Sequence, residues 1–317
     1  MKNSGKGIHV LVTGAAGYLG AVMVPHLLEE GYQVTALDNF MFKQTSLLSN
    51  CPHPNFSVVR GDVRDRGLMK TLLREADVII PLACLTGAPL CAQQPEAARS
   101  IIVDAIEMML DLRSDAQRIL YPTTNSGYGI GEEGLECTEE SPLRPISLYG
   151  RLKCEAEDRI LNAGNSLTYR LATVFGTSPR MRLDLLVNDF TWRAVKDGFL
   201  VLFEAHFKRN YIHIQDIARV FLQGIEKFDD MQGRTYNVGL SSANLSKYEL
   251  CLEIQKLIPN FYFTEAAVGK DPDQRNYIVS NERIEATGFR PEKSIADGIR
   301  ELIKAYTFLR LDTYSNV

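Results

Sequence analysis

Short apolar runs alternate with amphipathic stretches through the first half of the chain. A run of this length suits a strand that is buried on both faces of a parallel sheet. These runs predict strands over residues 8–12, 33–37, 56–60, 78–82, 118–122 and 166–172. Apolar residues at helical spacing predict helices over residues 18–30, 65–75, 95–113 and 149–163. The alternation indicates an α/β fold with a doubly wound parallel sheet.

The regular alternation loosens beyond residue 176. We therefore expect a first domain over residues 1–176 and a smaller C-terminal α/β lobe over 177–317, part of which returns to the first domain. The chain has 317 residues, of which 45% are hydrophobic, so it is long enough to bury a substantial core in two lobes.

A glycine-rich turn joins the first predicted strand to the first helix. Gly14 permits a sharp turn, Gly17 lets the backbone approach a diphosphate, and Gly20 lets the helix pack closely. The free N–H groups at the start of the helix suit phosphate oxygens. This arrangement predicts a dinucleotide site of the Rossmann type, although an ordinary strand–turn–helix unit can carry the same spacing. The predicted cofactor-binding residues of the turn are Gly14, Ala16, Gly17, Tyr18, Leu19 and Gly20.

Asp38 follows the second predicted strand, 24 residues after Gly14. An acid about 20 residues beyond the glycine motif binds ribose hydroxyls in such folds. A 2′-phosphate about 4 Å from this carboxylate would be repelled by roughly 4 kcal/mol at an effective dielectric constant near 20. We therefore expect NAD rather than NADP. The alternative is that Asp38 is a solvated turn residue before Asn39.

Further polar and apolar candidates stand where later strands end. Ligands of a doubly wound sheet bind at the carboxyl ends of its strands. The third strand ends before Asp62 and Val63, the fourth ends at Leu82, and Thr124 follows the fifth. We therefore expect these residues to face the same cleft as the glycine turn.

Tyr149 and Lys153 are four residues apart and share one face of a predicted helix. A tyrosine that takes a proton from a sugar hydroxyl near pH 7 needs its pKa lowered from about 10 by up to about three units. The Lys153 ammonium and a positive nicotinamide ring could supply this shift, and Thr124 could bind the reacting oxygen. The alternative is a surface tyrosine beside an unrelated lysine.

The composition narrows the class of protein. The net charge of −4 argues against a nucleic-acid-binding protein. We expect a cytoplasmic protein without a membrane span or signal peptide, because no apolar run approaches the roughly 20 residues that a span needs. The six cysteines lack the paired spacing of metal ligands, so we expect reduced thiols and no metal site. Cys84 is interpreted as a small packing residue.

These motifs resemble the extended short-chain dehydrogenase/reductase family, which contains nucleotide-sugar epimerases, dehydratases and reductases. Residues 209–216 and 288–291 extend the resemblance over nearly the whole chain. It implies bound NAD, a nucleotide-sugar substrate, and a homodimer formed through the helices over 95–113 and 149–163. It also implies that Tyr149 is the catalytic base, that Lys153 tunes it, and that Thr124 is its hydroxyl partner.

The resemblance implies further ligand contacts. Asp62 and Val63 would hold the adenine, and Leu82 and Ala83 would lie along the ribose and diphosphate. The remaining cofactor candidate is Asn39. The substrate candidates are Thr86, Thr124 and Asn125, with Asn188, Arg209 and Arg275 expected near the phosphates of the sugar nucleotide.

Departures from the family pattern indicate which of the family's reactions this chain can perform. Asn125 and Ser126 stand where the 4,6-dehydratases carry an acid and a base, and neither side chain transfers a proton usefully near pH 7. Ile102 and Thr173 replace asparagines of other epimerases, which leaves the sugar open. Gly127 replaces a usual valine, and we expect it to give the loop more freedom.

The sequence thus predicts NAD-dependent oxidation of a ring hydroxyl, at C4, by a nucleotide-sugar epimerase. Two alternatives stay open. A nucleotide-sugar dehydrogenase or ketoreductase would use the same Tyr149 and Lys153. A non-catalytic NAD-binding regulator could use the same fold.

Overall fold

The chain folds around a seven-stranded parallel sheet in a computed structural model that describes residues 7–132, 134–267 and 275–310. The strands are β1 (His9–Thr13), β2 (Gln33–Asp38), β3 (Phe56–Arg60), β4 (Val78–Pro81), β5 (Arg118–Thr124), β6 (Glu136–Cys137), β7 (Ser166–Leu171), β8 (Thr173–Phe175), β9 (Phe199–Leu202), β10 (Lys208–His213), β11 (Thr235–Val238), β12 (Asn244–Ser246), β13 (Tyr262–Glu265) and β14 (Ile278–Val279). The seven strands lie in the order β11-β7-β5-β4-β1-β2-β3. The order reverses between β1 and β4, where such sheets form a crevice for ligands.

The helices flank the sheet and build the second lobe. They are α1 (Gly20–Glu29), α2 (Arg66–Leu73), α3 (Ala88–Gln93), α4 (Pro95–Arg99), α5 (Ala105–Leu112), α6 (Leu148–Asn162), α7 (Leu186–Lys196), α8 (Ile214–Glu226), α9 (Phe228–Met231), α10 (Lys247–Leu257), α11 (Glu282–Ala286) and α12 (Ile295–Ala305). The predicted helix over 95–113 is one helical run interrupted by a π-helical segment, Ser100–Asp104. The predicted strand over 118–122 continues to Thr124, and a 3₁₀ turn, Asn125–Tyr128, follows it.

Alternate residues of the central strands serve two hydrophobic cores. Val10 and Val12 face the core shared with α1 and α8, whereas Leu11 faces the opposite side. Tyr121 of β5 lies on the same side as Leu11, in the core that includes α2, α5 and α6. The apolar runs of the sequence therefore predicted the doubly wound sheet correctly, since both faces of each central strand are buried.

The second lobe has its own core between α7, α10 and α12. Its sheets are small: β8, β10 and β12 form one, and β9 pairs with β13. Strand β11 lies beside β7 in the large sheet, although it belongs to the second half of the chain. The boundary at residue 176 stays a prediction. Across the described ranges, no helix has both the length and the apolar character that a membrane crossing requires.

Candidate functional site

A cleft of about 310 Å³ opens at the carboxyl ends of the central strands. Its wall combines loops of the large sheet and the start of α6 with segments after β8 and before β14. The predicted residues that line it are Gly14, Gly17, Tyr18, Leu19, Gly20, Asp38, Asn39, Asp62, Val63, Leu82, Ala83, Thr86, Thr124, Tyr149, Lys153 and Arg275. Residues far apart in the sequence therefore meet where the topology places a ligand crevice.

The glycine turn is held close to the segment after β4. Gly14 has a φ of +66°, and a Cβ atom there would lie 2.6 Å from the backbone nitrogen of Ala83. At Gly20, a Cβ atom would lie 2.5 Å from the carbonyl oxygen of Ala15. Both positions therefore require glycine, Gly14 for its backbone conformation and for space and Gly20 for space alone.

Asp38 connects this turn to the loop after β2. One carboxylate oxygen accepts the Ala16 N–H at 3.0 Å, and the other accepts the Phe40 N–H at 2.7 Å and the Gln44 Nε2 at 3.3 Å. Burial raises the pKa of Asp38, and these hydrogen bonds oppose the rise. Asp38 is thus a buried hydrogen-bond acceptor that also lines the cleft. This position does not agree with the alternative that Asp38 is a solvated turn residue.

The loop after Asp38 forms part of the cleft that the sequence did not indicate. Met41, Phe42 and Gln44 line it. The Phe42 ring lies under the guanidinium of Arg180 from the second lobe, with 4.6 Å between the guanidinium carbon and the ring centroid. No glycine or motif residue marks this loop, so its role follows from the fold alone.

Tyr149 and Lys153 lie on the cleft side of α6, which Ser147 caps by accepting the Gly150 N–H at 3.1 Å. Lys153 is buried, and its Nζ donates a hydrogen bond to the Tyr121 hydroxyl at 2.8 Å. Burial lowers the pKa of Lys153. The two predicted catalytic side chains therefore share the cleft, but the partner of Lys153 was not foreseen.

In the protein alone the pKa of Tyr149 is raised, and the predicted lowering by Lys153 together with a positive nicotinamide ring stays a prediction. Burial raises the pKa of Tyr149, Cys84 and Cys91 add to the rise, and the guanidiniums of Arg182 and Arg275 oppose it. Desolvation in the cleft wall disfavours the phenolate more than the nearby cations stabilise it. Any tyrosinate chemistry here needs additional positive charge near the ring.

Thr124 begins a chain of hydroxyl contacts across the cleft. Its Oγ1 donates to the Ser126 Oγ at 3.0 Å and accepts the Ser126 N–H at 3.1 Å. Arg275 also donates to the Ser126 Oγ. Thr124, Ser126 and Arg275 therefore form one polar cluster that joins the end of β5 to the second lobe. The sequence singled out each of these residues but not their contact.

Asn188 does not reach the cleft wall. It is fully buried, its Oδ1 accepts the Gly176 N–H at 3.1 Å, and its Nδ2 donates to the Arg182 carbonyl at 2.9 Å. The Tyr18 hydroxyl donates to the Gly176 carbonyl at 2.7 Å. Asn188 thus holds both ends of the segment that carries Arg180 and Arg182, rather than offering its amide to a ligand.

Three other predicted residues also lie outside the residues that line the cleft. The Ala16 side chain is buried, and its backbone N–H is bound to Asp38. Arg209 is buried near Tyr277, with its guanidinium carbon 5.8 Å from that ring centroid. Asn125 is buried, and neither polar atom of its amide has a hydrogen-bond partner within the described chain. Burial of these side chains could not be read from their positions in the motifs.

The thiols and acids form no metal centre in the described part of the chain. No group of three or more histidine, cysteine or acidic side chains is arranged to hold a metal ion there. Cys84 lines the cleft, and burial raises its pKa. Asp62 is bound to Arg64, whose hydrogen bonds lower the pKa of Asp62 to about 2.

Comparisons with known proteins place this architecture in a family. The Low-salt glycan biosynthesis protein Agl12 of Haloferax volcanii is 29% identical over 312 residues, which cover 94% of this chain and 98% of that protein. The dTDP-glucose 4,6-dehydratase of Streptomyces griseus is 27% identical over 314 residues, which cover 94% of each chain.

A solved structure shows the same fold. The UDP-glucose 4-epimerase with UDP-glucose from Thermotoga maritima superposes with a TM-score of 0.83 at 19% identity, over 95% of this chain and 99% of that chain. The model of the NAD dependent epimerase/dehydratase family matches residues 10–239. The resemblance seen in the sequence is confirmed, and the chain belongs to the NAD-dependent epimerase/dehydratase family.

Proposed function

We propose that the protein oxidises a ring hydroxyl, at C4, of a nucleotide-linked sugar and acts as a nucleotide-sugar epimerase. One observation carries this proposal: Tyr149, Lys153 and Thr124 line the same cleft as the glycine turn and Asp38. A phenol, an ammonium and a hydroxyl can then act on one sugar alcohol beside a dinucleotide.

The residues of the cleft fit NAD. Because Gly14 has no side chain, its backbone lies close to the backbone of Ala83, and one oxygen of Asp38 accepts the Ala16 N–H. We assign the diphosphate to the glycine turn and the adenosine ribose to Asp38 and Asn39. We assign the adenine to Asp62 and Val63, and we assign Leu82 and Ala83 to the length of the cofactor between adenine and nicotinamide. A bound NAD would supply the hydride acceptor for the sugar carbon and the donor that returns the hydride.

Side chains of the protein would transfer the proton of the same alcohol. Tyr149 takes that proton, Thr124 turns its hydroxyl proton from Ser126 to the reacting oxygen, and the Lys153 ammonium stabilises the phenolate. General acid–base catalysis of this kind contributes about 10²–10⁴-fold. Burial raises the pKa of Tyr149, so the phenolate needs positive charge nearby. Arg182 and Arg275 supply part of that charge, and the oxidised cofactor would add to it.

The polar cluster favours epimerisation over dehydration. Ser126 accepts hydrogen bonds from Thr124 and Arg275, so its own proton is left to orient a substrate oxygen. Neither Ser126 nor the buried Asn125 can serve as an acid or base near pH 7. We assign Thr86, Ser126 and Arg275 to the sugar nucleotide, and we include the homodimer through α4, α5 and α6 in the proposal.

The test is conversion of a panel of UDP, GDP, CDP and dTDP sugars, followed by proton NMR of the products. We expect inversion at C4 with the ring proton retained. Tyr149→Phe should lower kcat by about 10²–10⁴-fold while NAD stays bound. The exposed tyrosine variant Tyr262→Phe is the matched control. Undiminished turnover in Tyr149→Phe would overturn the mechanism. Release of a ketone would identify a dehydrogenase or ketoreductase, and no turnover of any sugar would favour a non-catalytic regulator.

A further inference from the structure

We propose that Tyr121 is a positioning residue that holds the Lys153 ammonium in its charged, cofactor-binding orientation. Tyr121 belongs to β5 and Lys153 to α6, so the contact joins the central sheet to the helix that carries Tyr149. The proposal rests on the assigned role of Lys153 beside the cofactor. It adds a residue that no motif of the chain indicates.

The contact is short and enclosed. The Lys153 Nζ lies 2.8 Å from the Tyr121 hydroxyl oxygen and 4.0 Å from the centroid of its ring. Tyr121 is 2% exposed and Lys153 is 4% exposed. An ammonium buried to this degree needs hydrogen-bond acceptors or other electron-rich groups around it. Tyr121 supplies both a hydroxyl oxygen and an aromatic ring.

Other ionisable groups surround Lys153 without replacing this contact. Cys84 and Cys91 approach from the segment after β4 and from α3, and Tyr149, Cys154 and Glu157 approach from α6 itself. Burial raises the pKa values of Cys84, Cys91, Cys154 and Tyr149, so these groups are neutral near pH 7. The Glu157 carboxylate is bound to Arg170 at 2.6 Å.

The ammonium of Lys153 has three N–H bonds, and one of them points to the Tyr121 hydroxyl. In this proposal the other two would bind ribose hydroxyls and the phenol of Tyr149. The hydroxyl of Tyr121 stabilises the charged form of Lys153 because it accepts a hydrogen bond from that form. Burial raises the pKa of Tyr121 itself, so it stays a neutral acceptor. Removing the hydroxyl should therefore lower the pKa of Lys153.

The experiment measures NAD affinity by isothermal titration calorimetry between pH 6 and pH 10. In the wild type, affinity should fall at alkaline pH as Lys153 loses its proton. A hydrogen bond to a charged group corresponds to about one to two pKa units, so the midpoint in Tyr121→Phe should lie about one to two pH units lower. An unshifted midpoint would overturn the proposal.

Tyr169→Phe is the matched control. Tyr169 lies on the neighbouring strand β7 and is also buried, and its hydroxyl donates to the Val220 carbonyl at 3.0 Å, away from the cleft. This variant loses a buried phenol hydrogen bond without touching Lys153, so its midpoint should match that of the wild type. An equal shift of the midpoint in Tyr169→Phe would show that a general loosening of the fold causes the shift, and it would overturn the role of Tyr121.

Lys153→Arg and Lys153→Met identify the titrating group. The alkaline fall should disappear in Lys153→Arg, because arginine does not lose its proton in this range. In the Lys153→Met background, Tyr121→Phe should change NAD affinity less than twofold. Persistence of the fall, or an additive loss, would contradict the proposal even if Tyr121→Phe folded poorly. Because NAD binding is read directly, failure of sugar turnover would count against the proposed function and not against this contact.

Discussion

The carboxylate of Asp38 accepts a hydrogen bond from the backbone N–H of Ala16 at 3.0 Å. This contact joins the carboxyl end of β2 to the glycine turn after β1. The second carboxylate oxygen holds the loop that carries Phe42 to the cleft, through the Phe40 N–H. Asp38 therefore shapes two walls of the cleft in addition to placing negative charge there.

Asp38→Asn should weaken NAD binding and relax the preference for NAD over NADP. The variant removes the negative charge that repels a 2′-phosphate, a repulsion of roughly 4 kcal/mol at about 4 Å. It also weakens the acceptors for ribose and for Ala16, so we expect NAD affinity to fall about tenfold. Calorimetric Kd values for both cofactors provide the measurement. Asp111→Asn is the control, because it removes an exposed carboxylate whose oxygen lies 3.8 Å from a guanidinium nitrogen of Arg66. Equal affinity of the wild type for NAD and NADP would show that Asp38 does not select the cofactor.

Gly14→Ala should destabilise the protein more than Gly164→Ala. Both glycines have a positive φ, +66° and +73°, so both variants carry the backbone strain of about 1–2 kcal/mol. A Cβ at Gly14 also meets the backbone of Ala83 at 2.6 Å, whereas nothing lies within 4 Å at Gly164. We expect the overlap to add about 1–3 kcal/mol to the loss in the free energy of unfolding. Urea denaturation of the two variants measures this difference, and equal losses would rule out the close approach.

Gly127→Val should destabilise the turn after β5, although valine is the usual family residue there. The structure corrects the expectation that Gly127 only frees the loop, because a Cβ there would lie 2.9 Å from the Cys154 sulfur and 3.1 Å from Leu143. Overpacking of this kind costs about 1–3 kcal/mol. The double variant Gly127→Val with Cys154→Ala should recover part of the loss, as measured by urea denaturation. Additive losses would indicate that Cys154 does not fill the space beside Gly127.

Glu301→Gln should remove an acid-sensitive contribution to stability. Burial opposes ionisation of Glu301, but hydrogen bonds from His213 and Thr177 lower its pKa to about 2, below its ordinary value of 4.5. The depressed pKa means that the stabilisation is complete above pH 4.5 and is lost as the pH falls toward 2. We expect the wild type to exceed the variant by about 1 kcal/mol at pH 7, after allowance for screening by solvent.

Urea denaturation of both proteins at several pH values from 7 down to 3 tests this dependence. The difference between the wild type and Glu301→Gln should shrink as the pH approaches 3. Tyr306→Phe, which removes a buried hydrogen bond to the Asn188 carbonyl at the end of the same helix, is the control, because it should lower stability without this pH dependence. A difference that stays constant with pH would contradict the role of the Glu301 carboxylate.

Local patterns in the sequence determined the fold class and the proposed chemical centre. Apolar runs predicted the central strands because both faces of those strands are buried, and the fully buried β4 lies within the predicted residues 78–82. The glycine turn, Asp38, and the spacing of Tyr149 and Lys153 each depend on neighbours within one turn or one strand–helix unit. The parallel sheet then carries such residues to one edge, so their meeting followed from the predicted topology.

Only the tertiary structure decided which side chain meets which partner across distant segments. It turned Asn188 into the interior, joined Arg275 to Ser126, placed Arg180 over Phe42, and gave Lys153 its bond to Tyr121. Each contact links residues from different strands, helices or lobes. Their directions depend on how whole elements pack, and neither periodicity nor motif spacing contains that information.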